Sequence, residues 1–174
     1  MTAARRRDEI LQALAGASGP VSAAALAARL GVSRQVVVGD VALLRAAGSP
    51  IVATPRGYVL DGGQEGGGVR CTVACRHGLD GLLDELYTVA DCGCGVLDVT
   101  VEHPVYGQLS GQLQVFSRYD ADVFWDALQK NGAQPLCSLT GDIHLHTLVC
   151  PDEARKARVL AALEEKGYLM GLEK

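Results

Sequence analysis

The chain has 174 residues and a formal net charge of −4, which allows one large domain or two small ones. Hydrophobic residues make up 48% of it but aromatic residues only 5%, so its core has to be built mainly from valine, leucine and alanine. The longest uncharged stretch near the start, residues 10–28, is interrupted by polar residues, glycine and proline, so we predict no membrane span.

The N-terminal residues predict a cytoplasmic protein. The arginines at residues 5–7 resemble the basic start of a signal peptide, but Asp8 and Glu9 follow them, and the next apolar run is short and helix-patterned. In a cytosolic chain we expect the six cysteines to be thiols rather than disulfides.

Charge is divided unevenly along the chain. Residues 1–65 carry seven arginines and no lysine against five acidic residues, a net charge of +2, whereas the remainder carries −6. The segment DGGQEGGG, residues 61–68, contains five glycines and no apolar side chain, which is typical of a flexible linker. We therefore predict two domains, residues 1–61 and 69–174, joined by a linker at 62–68, with a polyanion as partner of the first domain.

The first domain is predicted to hold three helices and a hairpin. Apolar spacing predicts helices over residues 5–15, 23–30 and 33–48, then strands over 51–54 and 57–60. Ser22 and Ser33 are expected to cap the second and third helices, and Gly31 to end the second. This order is typical of a winged helix-turn-helix.

The turn before the third helix predicts DNA binding. A helix-turn-helix places the start of its second helix in the major groove. In this chain the start of that helix is Ser33, Arg34 and Gln35. A serine hydroxyl can bind phosphate, and arginine and glutamine can read base edges with two hydrogen bonds. Arg56, at the tip of the hairpin or wing, suits a phosphate or minor-groove contact. A small helical protein-interaction domain is the alternative.

The second domain is predicted to be an α+β fold, a two-layer sandwich with helices on one face of a mainly antiparallel sheet. Its expected strands span residues 69–75, 95–103, 109–117 and 142–150, and its expected helices span 78–91, 119–132 and 151–169. Pro151 is placed in the first turn of the last helix. In the second strand, alternation puts Val96 on the face opposite to Val99 and Val101.

Two of the four histidines stand in the run GDIHLHTLVCP, residues 141–151. His144 and His146 lie two residues apart on a predicted strand and so project to the same face. Two adjacent imidazoles suit a divalent metal, although such a pair also occurs as polar residues on a solvent-facing strand. His77, just before a helix, and Glu85, about two turns into it, add a third imidazole and a carboxylate. Together these residues predict a site for one divalent transition metal per chain, nickel, zinc or iron.

Four segments carry a family resemblance: VSRQVVVGDVALLRAAG, IVATPRGYVL, VEHPVYG and PLCSLTGDIHLHTL. They resemble the niacin-responsive transcriptional repressors of Gram-positive bacteria and their relatives, which join a winged helix-turn-helix to a 3H domain named for its histidines. The resemblance covers residues 6–169. It implies a homodimeric repressor that binds operator DNA of genes for niacin uptake and NAD synthesis, with nicotinic acid as co-repressor.

The resemblance also implies roles for individual residues. The family's metal-ligand motif matches His77, Glu85, His144 and His146. Another family histidine matches His103 in the segment EHPVYG, and we assign His103 and Tyr106 to effector binding.

Two other functions remain open: a metal-dependent enzyme acting on a small pyridine carboxylate, and a metal-responsive regulator. A metal with an open position can activate water. The sequence contains no nucleophile elbow, Walker loop or HExxH motif. A pyridine carboxylate is itself a natural metal ligand, so we predict a regulator and not an enzyme.

The segment DCGCG, residues 91–95, departs from the family pattern. Its cysteines, Cys92 and Cys94, could join Cys71 and Cys75 of the first strand in a second thiolate site or a redox pair. The spacings C-x3-C and C-x-C differ from the C-x2-C of zinc knuckles. The alternative is small buried residues in a turn and a strand.

Overall fold

The structure, a computed structural model, describes residues 2–61 and 68–171. The chain forms two compact units, Met1–Gln64 and Glu65–Lys174, each with its own hydrophobic core. The predicted linker lies outside the described residues except for Gly68. Within the described ranges, no helix has the length and apolar character needed to cross a membrane.

The first unit has the helix and strand order of a winged helix-turn-helix. Its elements are α1 (Ala3–Ala15), α2 (Ala23–Leu30), α3 (Arg34–Ala46), β1 (Ile51–Thr54) and β2 (Gly57–Leu60), with β1 and β2 antiparallel. Ser22 and Ser33 cap α2 and α3 as predicted, since each hydroxyl oxygen accepts a hydrogen bond from the backbone N–H three residues on. Gly31 ends α2 with a φ of 66°, a left-handed conformation that favours glycine. The third helix ends at Ala46, two residues before the predicted Gly48.

Asp40 ties α1 to α3 inside this unit. Its buried carboxylate accepts hydrogen bonds from Arg6 Nε at 2.5 Å and from Arg6 Nη2 at 3.2 Å. Arg7 Nη1 lies 3.6 Å from the same carboxylate. Two of the three N-terminal arginines therefore help to hold the three-helix core together.

The second unit is a four-stranded antiparallel sheet with its helices packed on one face. Its elements are β3 (Val69–Arg76), α4 (Leu79–Asp91), β4 (Gly95–His103), β5 (Gly107–Val115), α5 (Arg118–Asn131), a 3-10 helix (Leu136–Thr140), β6 (Ile143–Cys150) and α6 (Glu153–Glu165). The strand order is β3-β6-β4-β5. The α+β fold class predicted from the sequence is confirmed. Along β6, buried residues alternate with the outward-facing Ile143 and Leu145, which are about two-fifths exposed.

The last helix is shorter than predicted. Asp152 is its N-cap, because the Asp152 side chain accepts a hydrogen bond from the Arg155 N–H, so Pro151 precedes the helix and is not in its first turn. The helix ends at Glu165, and Tyr168 and Met170 instead make backbone hydrogen bonds to β3. The sequence pattern assigned this segment to the helix, but it is extended and covers the β3 edge of the sheet.

The predicted alternation in β4 is also wrong. A bulge between Val96 and Asp98 inserts an extra residue into the strand. Val96 pairs with Leu148 and Val99 pairs with His146, and all four side chains lie on the helix-covered side. A bulge shifts the two-residue period by one, which simple alternation does not anticipate.

Candidate functional site

Three imidazoles of the second unit converge on one carboxylate oxygen. Glu85 Oε2 lies 2.6 Å from His77 Nε2 and 3.3 Å from Nε2 of both His144 and His146. Glu85 is 1% exposed, His144 2% and His146 4%. The structure therefore brings together all four residues predicted as metal ligands, in the interior of the unit.

Three elements position these side chains. His144 and His146 lie two residues apart on β6 and both face the side of the sheet that α4 covers. Glu85 lies on the buried stripe of α4 with Leu82 and Leu86, at the three- and four-residue spacing of a helix face. His77 occupies the short connection between β3 and α4. The site therefore joins residues far apart in sequence across the two layers of the sandwich.

Gly81 leaves room for the ring of His77. A Cβ atom at Gly81 would lie 2.9 Å from both Cβ and Cγ of His77, closer than real side chains approach one another. The imidazole of His77 also packs edge-on against Tyr168, with ring centroids 5.0 Å apart. Tyr168 in turn donates a hydrogen bond to Asp84 on α4. The His77 ring is thus held between the start of α4 and the C-terminal extended segment.

Each of the three imidazoles is oriented by a backbone carbonyl. His77 Nδ1 lies 2.9 Å from the carbonyl oxygen of Gly78. His144 Nδ1 lies 3.0 Å from the carbonyl oxygen of Asp142, and His146 Nδ1 lies 2.6 Å from that of Asp98. A carbonyl oxygen only accepts, so each Nδ1 carries the proton, and each Nε2 faces Glu85 with its lone pair unless the ring takes a second proton. This is the second-shell arrangement of metal-ligating histidines.

The charges of the cluster call for a cation. Burial opposes ionisation of Glu85, yet the positive charge of His146, and hydrogen bonds that the imidazoles donate once Nε2 has taken a second proton, hold the pKa of Glu85 well below the ordinary value. Burial lowers the pKa of His77 and of His146, but the Glu85 carboxylate outweighs it and raises both above the ordinary value. Glu85 Oε1 is buried and has no hydrogen-bond partner among the described residues. Three nitrogen donors around a carboxylate with an unsatisfied oxygen fit a divalent transition metal.

A pocket opens onto this cluster. The three imidazoles and Glu85 form one end of it. The remaining walls are mostly apolar: Leu82, Leu86, Val99, Leu113, Phe124, Pro135, Leu136 and Cys137. The last three belong to the loop and the 3-10 helix after α5, which the sequence pattern did not predict. The pocket combines apolar walls with a few convergent polar groups, as small-molecule sites do.

The structure does not bring the two predicted effector residues to this pocket. His103 ends β4, and its Nδ1 accepts hydrogen bonds from the backbone N–H groups of Val105 and Tyr106 in the β4–β5 turn. Tyr106 is 75% exposed, and neither residue lines the pocket. A structural role for His103, as the acceptor that closes the hairpin, is visible directly.

The first unit exposes the predicted DNA-reading residues. Arg34 and Gln35 lie exposed in the first turn of α3. The oxygen of Ser33 is used as the helix cap, which leaves its O–H free to donate. Gly39, one turn after Gln35 on the same exposed face, has nothing within 4 Å of its Cβ position. Gly39 was not predicted as a contact residue, although a glycine inside a predicted helix lowers helix stability and so often has a packing or functional reason.

The wing is held against the helices at its base. Val21 exchanges two backbone hydrogen bonds with Tyr58, each 2.9 Å long. A Cβ at Gly57 would lie 2.4 Å from the Val21 oxygen, and its φ of 139° also requires glycine. Arg56 lies in the tight turn, where its N–H donates to Thr54 Oγ1. The strand next to the tip is therefore anchored to the residue that precedes Ser22, the N-cap of α2.

Four of the six cysteines lie near one another. Cys150 lies beside Cys71 and Cys94, with Cys92 close by. Burial is the main cause that raises the pKa of Cys71, Cys92 and Cys94, and it raises the pKa of Cys94 to about 12. In the described part of the chain these sulfur atoms form no group compact enough to hold an ion. Protonated, mostly buried thiols fit the packing alternative. Cys75 is apart from them, beside Glu85, and burial and that carboxylate raise its pKa.

Comparisons with known proteins match both units. An HTH domain model matches residues 6–59, and the 3H domain model matches residues 70–172. The chain is 43% identical over 165 residues to a protein of Thermotoga maritima named probable transcription repressor NiaR, covering 95% of this chain and 93% of that one. It is 41% identical over 169 residues to the transcription repressor NadR of Bacillus subtilis, covering 96% and 94%. The names of these relatives support the prediction of a regulator rather than an enzyme.

Proposed function

The chain belongs to the 3H-domain transcription repressors of the NiaR and NadR type, and on that premise we propose that it represses genes of niacin uptake and NAD synthesis with nicotinic acid as co-repressor. One divalent transition metal, held by His77, Glu85, His144 and His146, forms the effector site. The observation that carries the proposal is the convergence of three Nε2 atoms on one buried carboxylate at the end of an apolar pocket.

Nickel and zinc suit this donor set best, with iron as a further choice. Imidazole nitrogen is a good ligand for all three ions, and the buried carboxylate offsets part of their charge. When bound, the metal supplies a Lewis-acidic position for the ring nitrogen or the carboxylate of nicotinate. The protein orients the three imidazoles through their Nδ1–H groups. Apolar side chains such as Phe124 and Leu113 exclude water from the nicotinate ring.

The DNA contacts follow from the exposed face of α3 and from the wing. Arg34 and Gln35 are proposed to read base edges, and Ser33 and Arg56 to contact phosphate. A single winged helix covers a short stretch of DNA, so two copies on adjacent half-sites are proposed to supply affinity and specificity together. The active species is therefore proposed to be a homodimer.

The proposal is tested by operator binding of the full chain. Operator affinity is measured with nicotinate and with nicotinamide, each with and without a metal chelator. Nicotinate, which carries the anionic carboxylate, is expected to raise affinity about 5–150-fold, the usual range of allosteric coupling. Nicotinamide and chelated protein are expected to show little or none of this increase. Equal responses to nicotinate with and without chelator would contradict a metal-dependent effector site.

A metal-responsive regulator is the second candidate. The observation in its favour is the burial of Glu85, His144 and His146, which resembles a closed sensor site as much as an effector pocket. If metal alone shifts operator affinity fully, and nicotinate adds nothing, this second function is the correct one. The same titration therefore separates the two.

A further inference from the structure

A buried thiol borders the candidate metal centre. Cys75 on β3 pairs with His144 on β6, and partners across an antiparallel pair project to the same face of the sheet. Cys75 is fully buried. Its Sγ, a carboxylate oxygen of Glu85 and a ring nitrogen of His144 all lie within 4.8 Å of one another. The sheet therefore presents sulfur as well as nitrogen donors to Glu85.

These separations are close to those of atoms that share one ion. Zinc–sulfur bonds measure about 2.3 Å and zinc–nitrogen bonds about 2.0–2.1 Å, so two such donors on one ion lie at most about 4.4 Å apart. The three donor atoms of Cys75, Glu85 and His144 lie within 4.8 Å, which is slightly above this limit, and bent bond angles at the ion shorten it further. The sulfur therefore has to approach the other two donors when the ion binds.

A second observation points to a ligand at the same place. Glu85 Oε1 is buried and has no hydrogen-bond partner among the described residues, although Oε2 faces three imidazoles. A divalent ion held by neutral imidazoles and one carboxylate keeps a charge of +1, which an apolar interior disfavours. A thiolate beside Glu85 would bring the buried site to neutrality.

We infer that Cys75 is a further ligand of this metal, a thiolate added to the three imidazoles and the carboxylate. The inference rests on the proposed function, because it concerns the same ion. On coordination the S–H bond of Cys75 breaks, its proton passes to solvent and a sulfur–metal bond forms, while the oxidation state of the metal is unchanged. Cys75 does not line the pocket, so its sulfur leaves the space proposed for the effector open.

The inference also narrows the choice of metal. Thiolate ligands favour soft and borderline ions, whereas sites of oxygen and nitrogen alone also accept harder ones such as manganese. With Cys75 in the donor set, nickel and zinc are expected to bind in strong preference to manganese.

Cobalt(II) is the probe for the test. The full-length chain is loaded with one equivalent of cobalt(II), and its absorption is recorded for the unaltered protein, for Cys75→Ala and for Cys137→Ala. Cys137 is the matched control, because it is a buried cysteine that lines the same pocket but is not part of the three-residue cluster. We expect a sulfur-to-cobalt charge-transfer band in the near ultraviolet that is lost in Cys75→Ala and kept in Cys137→Ala.

The remaining outcomes overturn the inference in distinguishable ways. Cobalt(II) bound with ligand-field bands but no charge-transfer band would remove Cys75 from the donor set and leave the proposed metal centre intact. A charge-transfer band that survives in Cys75→Ala would assign the sulfur to another residue. A failure to bind cobalt(II) would overturn the proposed metal centre as well. X-ray absorption of the metal-loaded unaltered protein, which needs no variant, should show a sulfur shell, and the absence of that shell would overturn the inference.

Discussion

Gly81 and His77 are packed so closely that a methyl group on Gly81 would lie 2.9 Å from the imidazole Cγ. Replacing Gly81 with alanine should therefore displace the His77 ring and weaken metal binding. Loss of an orienting contact around a metal ligand typically lowers affinity about 10–100-fold, which calorimetric titration with nickel or zinc would measure.

The matched control is Gly39→Ala in α3. Alanine favours a helix over glycine by up to about 1 kcal/mol, and the Cβ position of Gly39 is open. This variant should keep the metal affinity of the unaltered chain and unfold at an equal or higher temperature. If Gly81→Ala binds metal as tightly as Gly39→Ala, the close packing at His77 has no part in the site.

Metal affinity should fall as the pH is lowered. A histidine ligates a metal only in its neutral form, and Glu85 raises the pKa of His77 and His146 above the ordinary value. Protons therefore compete with the metal already at a pH where an ordinary histidine is neutral, and affinity should rise with pH until it passes these raised values. Calorimetry from about pH 5 to 8 measures the trend, and an affinity independent of pH would speak against histidine ligation.

The two DNA-contacting arginines should behave differently. Arg34→Ala should cost about 1–3 kcal/mol of operator binding and relax specificity at one base pair, because a base contact carries sequence information. Arg56→Ala should weaken binding to all sequences alike and reduce the salt dependence by about one counterion.

Lys130→Ala is the charge-matched control for both arginines, since Lys130 is exposed on α5 in the other unit. It should leave operator affinity unchanged. Wild-type affinity and specificity in Arg34→Ala would remove that residue from the proposed interface.

The chain should be a dimer at micromolar concentration. Two winged helices bound to adjacent half-sites lie about one helical turn of DNA apart, which accounts for affinity without a larger domain. Light scattering measures the mass directly. A monomer both with and without operator DNA would refute the dimer.

Local patterns predicted most elements of the fold and the four residues that converge in the second unit, but not the 3-10 helix, the C-terminal extended segment or the positions of His103 and Tyr106 away from the pocket. The two-residue spacing of His144 and His146 predicted their common face, and β6 alternates as expected. The bulge in β4 was missed because Leu97 to Val101 alternates between apolar and polar residues, as a regular strand does. The same bulge precedes Asp98, whose carbonyl orients His146.

Long-range packing explains the rest. Spacing gives no indication that Gly81 faces His77, or that Cys75 belongs with Glu85 and not with the other cysteines. The pairing of β3 with β6 decides the second point, because it sets Cys75 opposite His144. For the packing of Gly81 against His77, the only signal in the sequence was a glycine in the first turn of the helix that begins just after this histidine.

The most direct test of the whole account is the double variant His144→Ala, His146→Ala, measured for metal content and for the effect of nicotinate on operator binding. The unaltered chain should hold one metal per chain and bind operator more tightly with nicotinate. The double variant should hold no metal and show no response to nicotinate, while it keeps weak, salt-sensitive DNA binding through the first unit. A double variant that still holds one metal per chain and still responds to nicotinate would contradict the account.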